Sequence, residues 1–209
     1  MELTTSKSLM TGFAAAILLA AALPVEAQAN GDDDWLHQNG FGFGEGYYTT
    51  LADFTGGGAA AGGEYVNSAV PWGSGGKLSF SMLFHDYNEP GRDCFASDMF
   101  LGADIFLLAR AMDVVTIYGG CGVDIHTLDY TYDHTDESYE GGGATSNVFA
   151  GIRWVFAGHC YVFAEYRREF GDIEVEGSHY STRSRSRVTT RQKIDLSDNR
   201  VVIGIGGLF

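Results

Sequence analysis

The chain has 209 residues and a formal charge of −14, with 45% hydrophobic and 13% aromatic residues. So acidic a balance argues against nucleic-acid binding, and the supply of Tyr, Phe, Val and Ile argues against disorder. Glycine is over-represented, 29 residues against a usual share of about 7%, while prolines number 3, a balance that suits many strands with crowded small-residue positions.

The apolar run Leu9 to Leu23 reads LMTGFAAAILLAAAL. As a helix it covers about 22 Å, short of the roughly 30 Å hydrocarbon core of a bilayer. Pro24 and the small-x-small pattern Ala27-Gln28-Ala29 follow. Residues 1–29 are therefore expected to be a cleaved export signal, with an uncleaved anchor as the alternative. Residues 30–40 read as an acidic leader containing Asp32-Asp33-Asp34. Removing the signal takes away Lys7, Glu2 and Glu26 and leaves 12 basic and 25 acidic residues. The cysteines, Cys94, Cys121 and Cys160, are odd in number, so an exported chain forms at most one disulfide among them. Their spacing matches no zinc signature.

Beyond the leader, strand-like segments are expected near Phe41–Phe54, Ala59–Val70, Lys77–Tyr87, Asp98–Leu108, Val114–Tyr132, Ser146–Phe156, Cys160–Ile173 and Lys193–Phe209. Connections after the second, fourth and sixth are short: Pro71–Gly76, Ala109–Asp113 and Ala157–His159. Those after the third, fifth and seventh are longer: Asn88–Ser97, Asp133–Thr145 and Glu174–Gln192. The first, Thr55–Gly58, is a short exception. An even number of strands with alternating short turns and long loops is the pattern of a membrane barrel.

Alternation is cleanest in Lys77–Tyr87, where Leu78, Phe80, Met82 and Phe84 share one face and Ser79, Ser81 and His85 the other. A soluble sandwich alternates too. The membrane reading is favoured by the opposite face of later strands, which is polar and charged. Asp104, Asp124, Arg153, Glu165, Arg167, Glu169 and Arg200 all stand opposite in parity to their apolar neighbours. Met99–Met112 is nearly continuous in apolar residues, and a helix is its rival reading. Gly102 and the neighbouring strands favour a strand.

The chain closes on Val201-Val202-Ile203-Gly204-Ile205-Gly206-Gly207-Leu208-Phe209. Together with Tyr161-Val162-Phe163-Ala164-Glu165-Tyr166-Arg167 and Gly171-Asp172, it resembles the last hairpin of small OmpA-like and opacity-type outer-membrane proteins of Gram-negative bacteria. The resemblance implies an all-β fold: an eight-stranded, antiparallel, transmembrane up-and-down β-barrel over residues 41–209. It also implies residence in the outer membrane, with Phe209 as the signal read by the barrel-assembly machinery. The peptidoglycan-binding domain of larger members is not expected.

Eight strands leave an interior that side chains can fill, and charges in it must pair. The expectation is a lumen network in which Arg153, Arg167 and Arg200 face Asp104, Asp124, Glu165 and Glu169. Rim solvation is the alternative for some of these, Glu169 above all. The outer loops divide by charge. Asp129, Asp133, Asp136, Glu137 and Glu140 crowd one, while Arg183, Arg185, Arg187, Arg191 and Lys193 supply five of the 12 mature basic residues in another. Three readings stay open for them: mutual pairing that stiffens a β-extension, a grip on lipopolysaccharide phosphates or a host polyanion, and plain solvation.

His179-Tyr180-Ser181 places a base and a nucleophile on one strand face and is similar to the catalytic element of lipid A deacylase barrels. Thr182 stands where that family has Asn, and its Asn-Pro-Gly stretch is absent, so coincidence in a Ser-rich loop is the stronger reading. Asp133-His134-Thr135-Asp136-Glu137 lacks EF-hand spacing and reads as an acidic turn. The sequence therefore points to a non-catalytic outer-membrane barrel with a structural or surface-interaction role. No metal or cofactor is expected. Expected partners are outer-membrane lipid and lipopolysaccharide, the assembly machinery, and a host or surface ligand. A lipid A-modifying enzyme and a narrow passive pore are the rivals.

Overall fold

The computed structural model describes residues 40–50, 55–69, 72–89, 92–132, 137–156, 160–181 and 186–208. The expected export signal, nearly all of the leader and Phe209 lie outside them. The strands are β1 (Gly40–Thr50), β2 (Thr55–Ala69), β3 (Trp72–Glu89), β4 (Arg92–Met112), β5 (Val115–Tyr132), β6 (Ser138–Phe156), β7 (Cys160–Phe170), β8 (Asp172–Ser181), β9 (Ser186–Asp195) and β10 (Asn199–Leu208). Antiparallel pairing runs β1-β2-β3-β4-β5-β6-β7-β10, and β10 returns to β1. The ring is closed.

β8 and β9 add no wall of their own to the ring. Phe170 stands opposite Ser146 and Glu174 opposite Gly142, so the register against β6 runs unshifted through Gly171. In the same way Arg168 faces Asn199 and Asp172 faces Asp195. β7 and β8 are thus one strand bent at Gly171, whose φ is 141°. β9 and β10 are its partner, interrupted at Leu196–Asp198. The Gly171 amide donates to Ser197 Oγ at 3.3 Å, and Leu196 N donates to the Gly171 carbonyl at 2.9 Å, so the bend keeps its backbone bonds. The barrel has eight strands, as the sequence led one to expect.

The register also fixes the tilt. From Glu45 one path leads through Ala61, Phe80, Leu101 and Ile125 to Ala144 of β6. The other leads through Ile205 and Val162 to Trp154 of β6, ten residues further along. That offset is the shear of the barrel, and with eight strands it requires strands inclined by roughly 35–45° to the axis.

The long connections expected from the sequence are mostly strand. Asn88–Ser97 lies largely within the β3–β4 hairpin, Ser138–Thr145 belongs to β6, and Glu174–Ser181 and Ser186–Gln192 form the β8–β9 hairpin. Charge and glycine suggested loops there. The ladder pairs backbone groups whatever the side chains, so strands continue past the apolar band. β4 has 21 residues, where about 9–11 cross a bilayer. Short turns are tighter than expected as well: Trp72–Gly76 lies in β3 and Ala109–Met112 in β4. Met99–Met112, whose rival was a helix, lies within β4.

Side chains alternate strictly between wall faces, as in β6 and β10. The exterior carries Leu78, Phe80, Leu101, Ile105, Val123, Ile125, Ile152, Ile203 and Ile205. Phe41, Tyr65, Trp72 and Trp154 ring the short-turn end of this band, and Tyr47, Phe84, Phe95, Tyr166 and Phe170 ring the other. An apolar belt between aromatic girdles matches a bilayer. Glu45, exposed between Phe43 and Tyr47, interrupts it. Cys121 and Cys160 are free and exposed, on strands separated by β6.

Candidate functional site

The inward face is the chemically rich one, and it is filled. Toward the short turns, Phe106, Leu108, Tyr118, Phe149, Val155 and Tyr161 pack with Val66 and Leu208. Arg153 is set among these rings, its guanidinium 4.6 Å from the Tyr118 centroid and 4.9 Å from that of Tyr161. It donates two parallel hydrogen bonds to Glu64, at 2.9 and 2.6 Å, and Tyr161 donates to the same carboxylate at 2.6 Å. Arg153 therefore pairs with a residue outside the expected set.

One layer further in, Arg167 is the hub. It reaches Asp104 at 2.6 Å, Glu165 at 3.1 Å and Asp124 at 3.6 Å, with no exposure of its side chain. Lys77 also reaches Glu165 (3.2 Å) and Asp104 (3.5 Å). Tyr118 donates to Glu165 at 3.2 Å, and Asn147 donates to Asp124 at 2.8 Å. A cavity of about 40 Å³ lies between these two layers, bordered by Glu64, Lys77, Ser79 and Arg153, and has room for about three or four waters at about 10–15 Å³ each.

The third layer centres on His126. Its Nδ1 lies 3.0 Å from both Asp98 oxygens, and its Nε2 lies 2.9 Å from Thr145 Oγ1 and 2.6 Å from Glu169 Oε1. Only a ring protonated on both nitrogens donates to both carboxylates. Arg200 completes the group, 2.6 Å from Glu169 and 4.0 Å from Asp98. Glu169, for which rim solvation was the alternative, is fully buried.

Two chemical readings of this layer can be weighed. Asp98, His126 and Thr145 follow one another like an acid–base–nucleophile relay. Thr145, however, gives its hydroxyl proton to Glu169 at 2.5 Å, and all four residues are buried, leaving no approach for a substrate. Asp124, His126 and Glu169 offer ligand atoms within 4.8 Å of one another, a donor set suited to a divalent cation. The guanidinium groups of Arg200 and Arg167 already occupy the same neighbourhood and repel such an ion. The layer is ion-paired by the protein's own cations.

Above it the extension closes over the lumen. Leu128, Tyr130, Tyr139, Ile173 and Val175 form a cluster joined by Ile194 and Leu196. Tyr130 and Tyr139 stack at 4.8 Å with ring planes 5° apart, and Tyr130 donates to Gln192 at 2.8 Å. On the outward side of the hairpin, Lys193 pairs with Asp172 at 3.2 Å and Arg191 with Glu176 at 3.6 Å. Arg183 and Arg185 lie outside the described residues, as do the side chains of Arg187, His179 and Ser181. Backbone register places His179 opposite Val188 and Ser181 opposite Ser186, at the far end of the hairpin.

All seven expected lumen residues are buried. Glu64, Lys77, Asp98, His126, Thr145 and Asn147 belong with them and were not foreseen. His126 was readable, being two residues from Asp124. Glu64 was not, because β2 runs GGGAAAGGE and offers no apolar–polar contrast.

No protein-family model matches the chain, and no curated protein matches its sequence. Solved structures do. The outer membrane protein OprG from Pseudomonas aeruginosa superposes with a TM-score of 0.59 at 13% identity, covering 82% of this chain and 96% of that one. A major outer membrane protein from Thermus thermophilus gives 0.55 at 10% identity, covering 83% and 100%. The chain has the fold of small outer-membrane barrels. At such identities the likeness extends to fold alone.

Proposed function

We propose that the protein is a non-conducting, non-catalytic outer-membrane barrel that serves by presenting its β-extension at the cell surface. One observation carries this reading. The belt facing outward is apolar and girdled by aromatics, while the lumen among the described residues is filled by aromatic clusters and buried ion pairs around one cavity of about 40 Å³. A pore needs a continuous water path, and an enzyme needs a reachable nucleophile; the packing supports neither.

In this reading the short turns face the periplasm and β8–β9 faces out. Lipid covers the belt, and the C-terminal strand with Phe209 engages the assembly machinery. The basic stretch Arg183, Arg185, Arg187 and Arg191 meets lipopolysaccharide phosphates or another polyanion. A first test is electrophoresis of unboiled and boiled outer-membrane extract. A faster unboiled band is expected, and a soluble periplasmic protein without a shift overturns the reading. Purified protein in planar bilayers is expected to show no steady conductance. Lipid A mass spectra are expected to be unchanged on overexpression; loss of an acyl chain that depends on His179 and Ser181 would restore the enzyme reading.

A further inference from the structure

Closure of the barrel removes sheet edges from the membrane, but not from the extension. β10 is covered on one side by β7 and on the other by β1, whose pairing among the described residues runs as far as Thr50 opposite Arg200. Above that level β9 pairs with β8 alone and ends the sheet among the described residues. Its free side runs over Ser186–Asp195, ten residues or about 34 Å at 3.4 Å per residue.

Proteins blunt such edges with proline, bulges, shortness or charge. Ser186–Asp195 contains no proline, and its register with β8 is uninterrupted from Ser181↔Ser186 to Asp172↔Asp195. Charge alone remains, and it is of one sign over most of the strand. Thr190, Gln192 and Ile194 have the parity that faces the aromatic cap, through the Gln192 bond to Tyr130 and the packing of Ile194. Thr189, Arg191, Lys193 and Asp195 hold the opposite parity and are exposed, and Arg187 shares their register. Arg191 and Lys193 remain well exposed even while touching Glu176 and Asp172.

We propose that the free edge of β9 is a docking site for an extended acidic segment of a partner protein, which joins the sheet as an added strand with carboxylates at every second residue. The proposal rests on the surface-presenting role argued above. Backbone bonds to an edge strand supply affinity, and side chains at alternate positions select the partner. Alternating carboxylates fall directly opposite the Arg187, Arg191 and Lys193 register positions, where opposite charges on paired strands attract. A second copy of this chain is the poorer occupant. Antiparallel pairing of β9 with itself about Thr190 sets Arg187 against Lys193, and like charges directly opposite destabilise.

The test uses the full-length protein in lipid nanodiscs and two fluorescent nine-residue peptides of alternating Glu and Thr. One peptide is unmodified; the other is N-methylated at every second amide, which keeps its charge and removes edge hydrogen bonds. Saturable binding of the first is expected, weakened by about tenfold or more on N-methylation, as the backbone bonds to the edge are lost. Arg191→Ser/Lys193→Ser is expected to weaken it similarly. Equal binding of both peptides means attraction by charge only and overturns the proposal, as does binding of neither. In parallel, Thr189→Cys is labelled on intact cells with a membrane-impermeant maleimide, against wild type as the background. Labelling without peptide binding sinks the edge site and leaves the surface reading standing. No labelling of heat-modifiable protein sinks both.

Discussion

Arg167 of β7 and Asp104 of β4 meet across the lumen at 2.6 Å, and neither side chain has any exposure. They come from strands three places apart in the ring, so the pair ties opposite walls together. Asp124, Glu165 and Lys77 converge on the same two residues. Six buried carboxylates, Glu64, Asp98, Asp104, Asp124, Glu165 and Glu169, thus share the lumen with Lys77, Arg153, Arg167, Arg200 and His126. Arg153 is matched to Glu64, while each of the other four contacts at least two acids.

Such sharing makes the hub costly to remove. Arg167→Met fills a similar volume but takes from Asp104 its closest cation and leaves Glu165 with Lys77 alone. A loss of about 3–5 kcal/mol is expected for breaking a buried pair from one side. Urea unfolding of the barrel in lipid vesicles measures it. The double variant Arg167→Met/Asp104→Leu removes both charges of the closest contact and is expected to recover part of that loss. A single variant as stable as wild type would show that the pairs add nothing to the fold.

Gly171 makes the bend between β7 and β8 possible. Its φ of 141° lies where side-chain-bearing residues are strained, and an added Cβ would stand 3.1 Å from Thr145 Cγ2. Gly171→Ala is expected to destabilise by about 1–3 kcal/mol. Gly63 provides the contrast, because a Cβ there meets nothing nearer than 3.8 Å. Gly63→Ala is expected to be neutral or slightly stabilising. Unfolding midpoints of the two variants, measured side by side, decide whether the conformation or the mere addition of a methyl group matters.

The lipid-facing band can be tested with charge. Leu101 is 59% exposed, near the middle of the outward face of β4. At that depth Leu101→Arg is expected to cost about 2–4 kcal/mol, the penalty for Arg near the bilayer midplane. Glu45 is a natural exception in the same band. Its neighbours in register are Ala61 and Ile205, neither of which offers a counter-charge. Glu45→Leu is therefore expected to raise stability. If Leu101→Arg were harmless and Glu45→Leu destabilising, that face would be in water.

The sequence revealed the wall more readily than the pairing within it. Leu78, Phe80, Met82 and Phe84 alternate with Ser79, Ser81 and His85, and Glu165, Arg167 and Glu169 alternate with Tyr166 and Arg168, because each side of the wall has its own solvent. That contrast disappears in β2, where both faces are Gly or Ala, and Glu64 was lost with it. Partner choice was hidden for a different reason. Which carboxylate Arg153 meets depends on the strand tilt and the ten-residue shear, and these follow from hydrogen-bond register around the whole ring. The extension was misread as loops because its side chains become polar beyond the aromatic girdle while its backbone ladder continues.

At the base of the extension Asp195 accepts a hydrogen bond from the Ser197 amide at 2.8 Å, closing the interruption between β9 and β10. Bonds from the Ser197 side chain and amide hold the Asp195 carboxyl below its ordinary value. A carboxyl depressed in the folded state adds stability above its unfolded pKa and loses it as pH falls through the folded one. The Asp195 contribution is therefore present at neutral pH and disappears in acid. The group is almost fully solvated, so the shift is expected to be visible and the stability effect slight. A carbon-detected NMR titration of the Asp195 carboxyl in detergent is expected to give a midpoint below the roughly 3.9 of a free Asp. Ser197→Ala removes the hydroxyl and keeps the amide, and is expected to move the midpoint part of the way back. A midpoint at the free value in the wild-type protein would mean that the Asp195–Ser197 turn does not persist in solution.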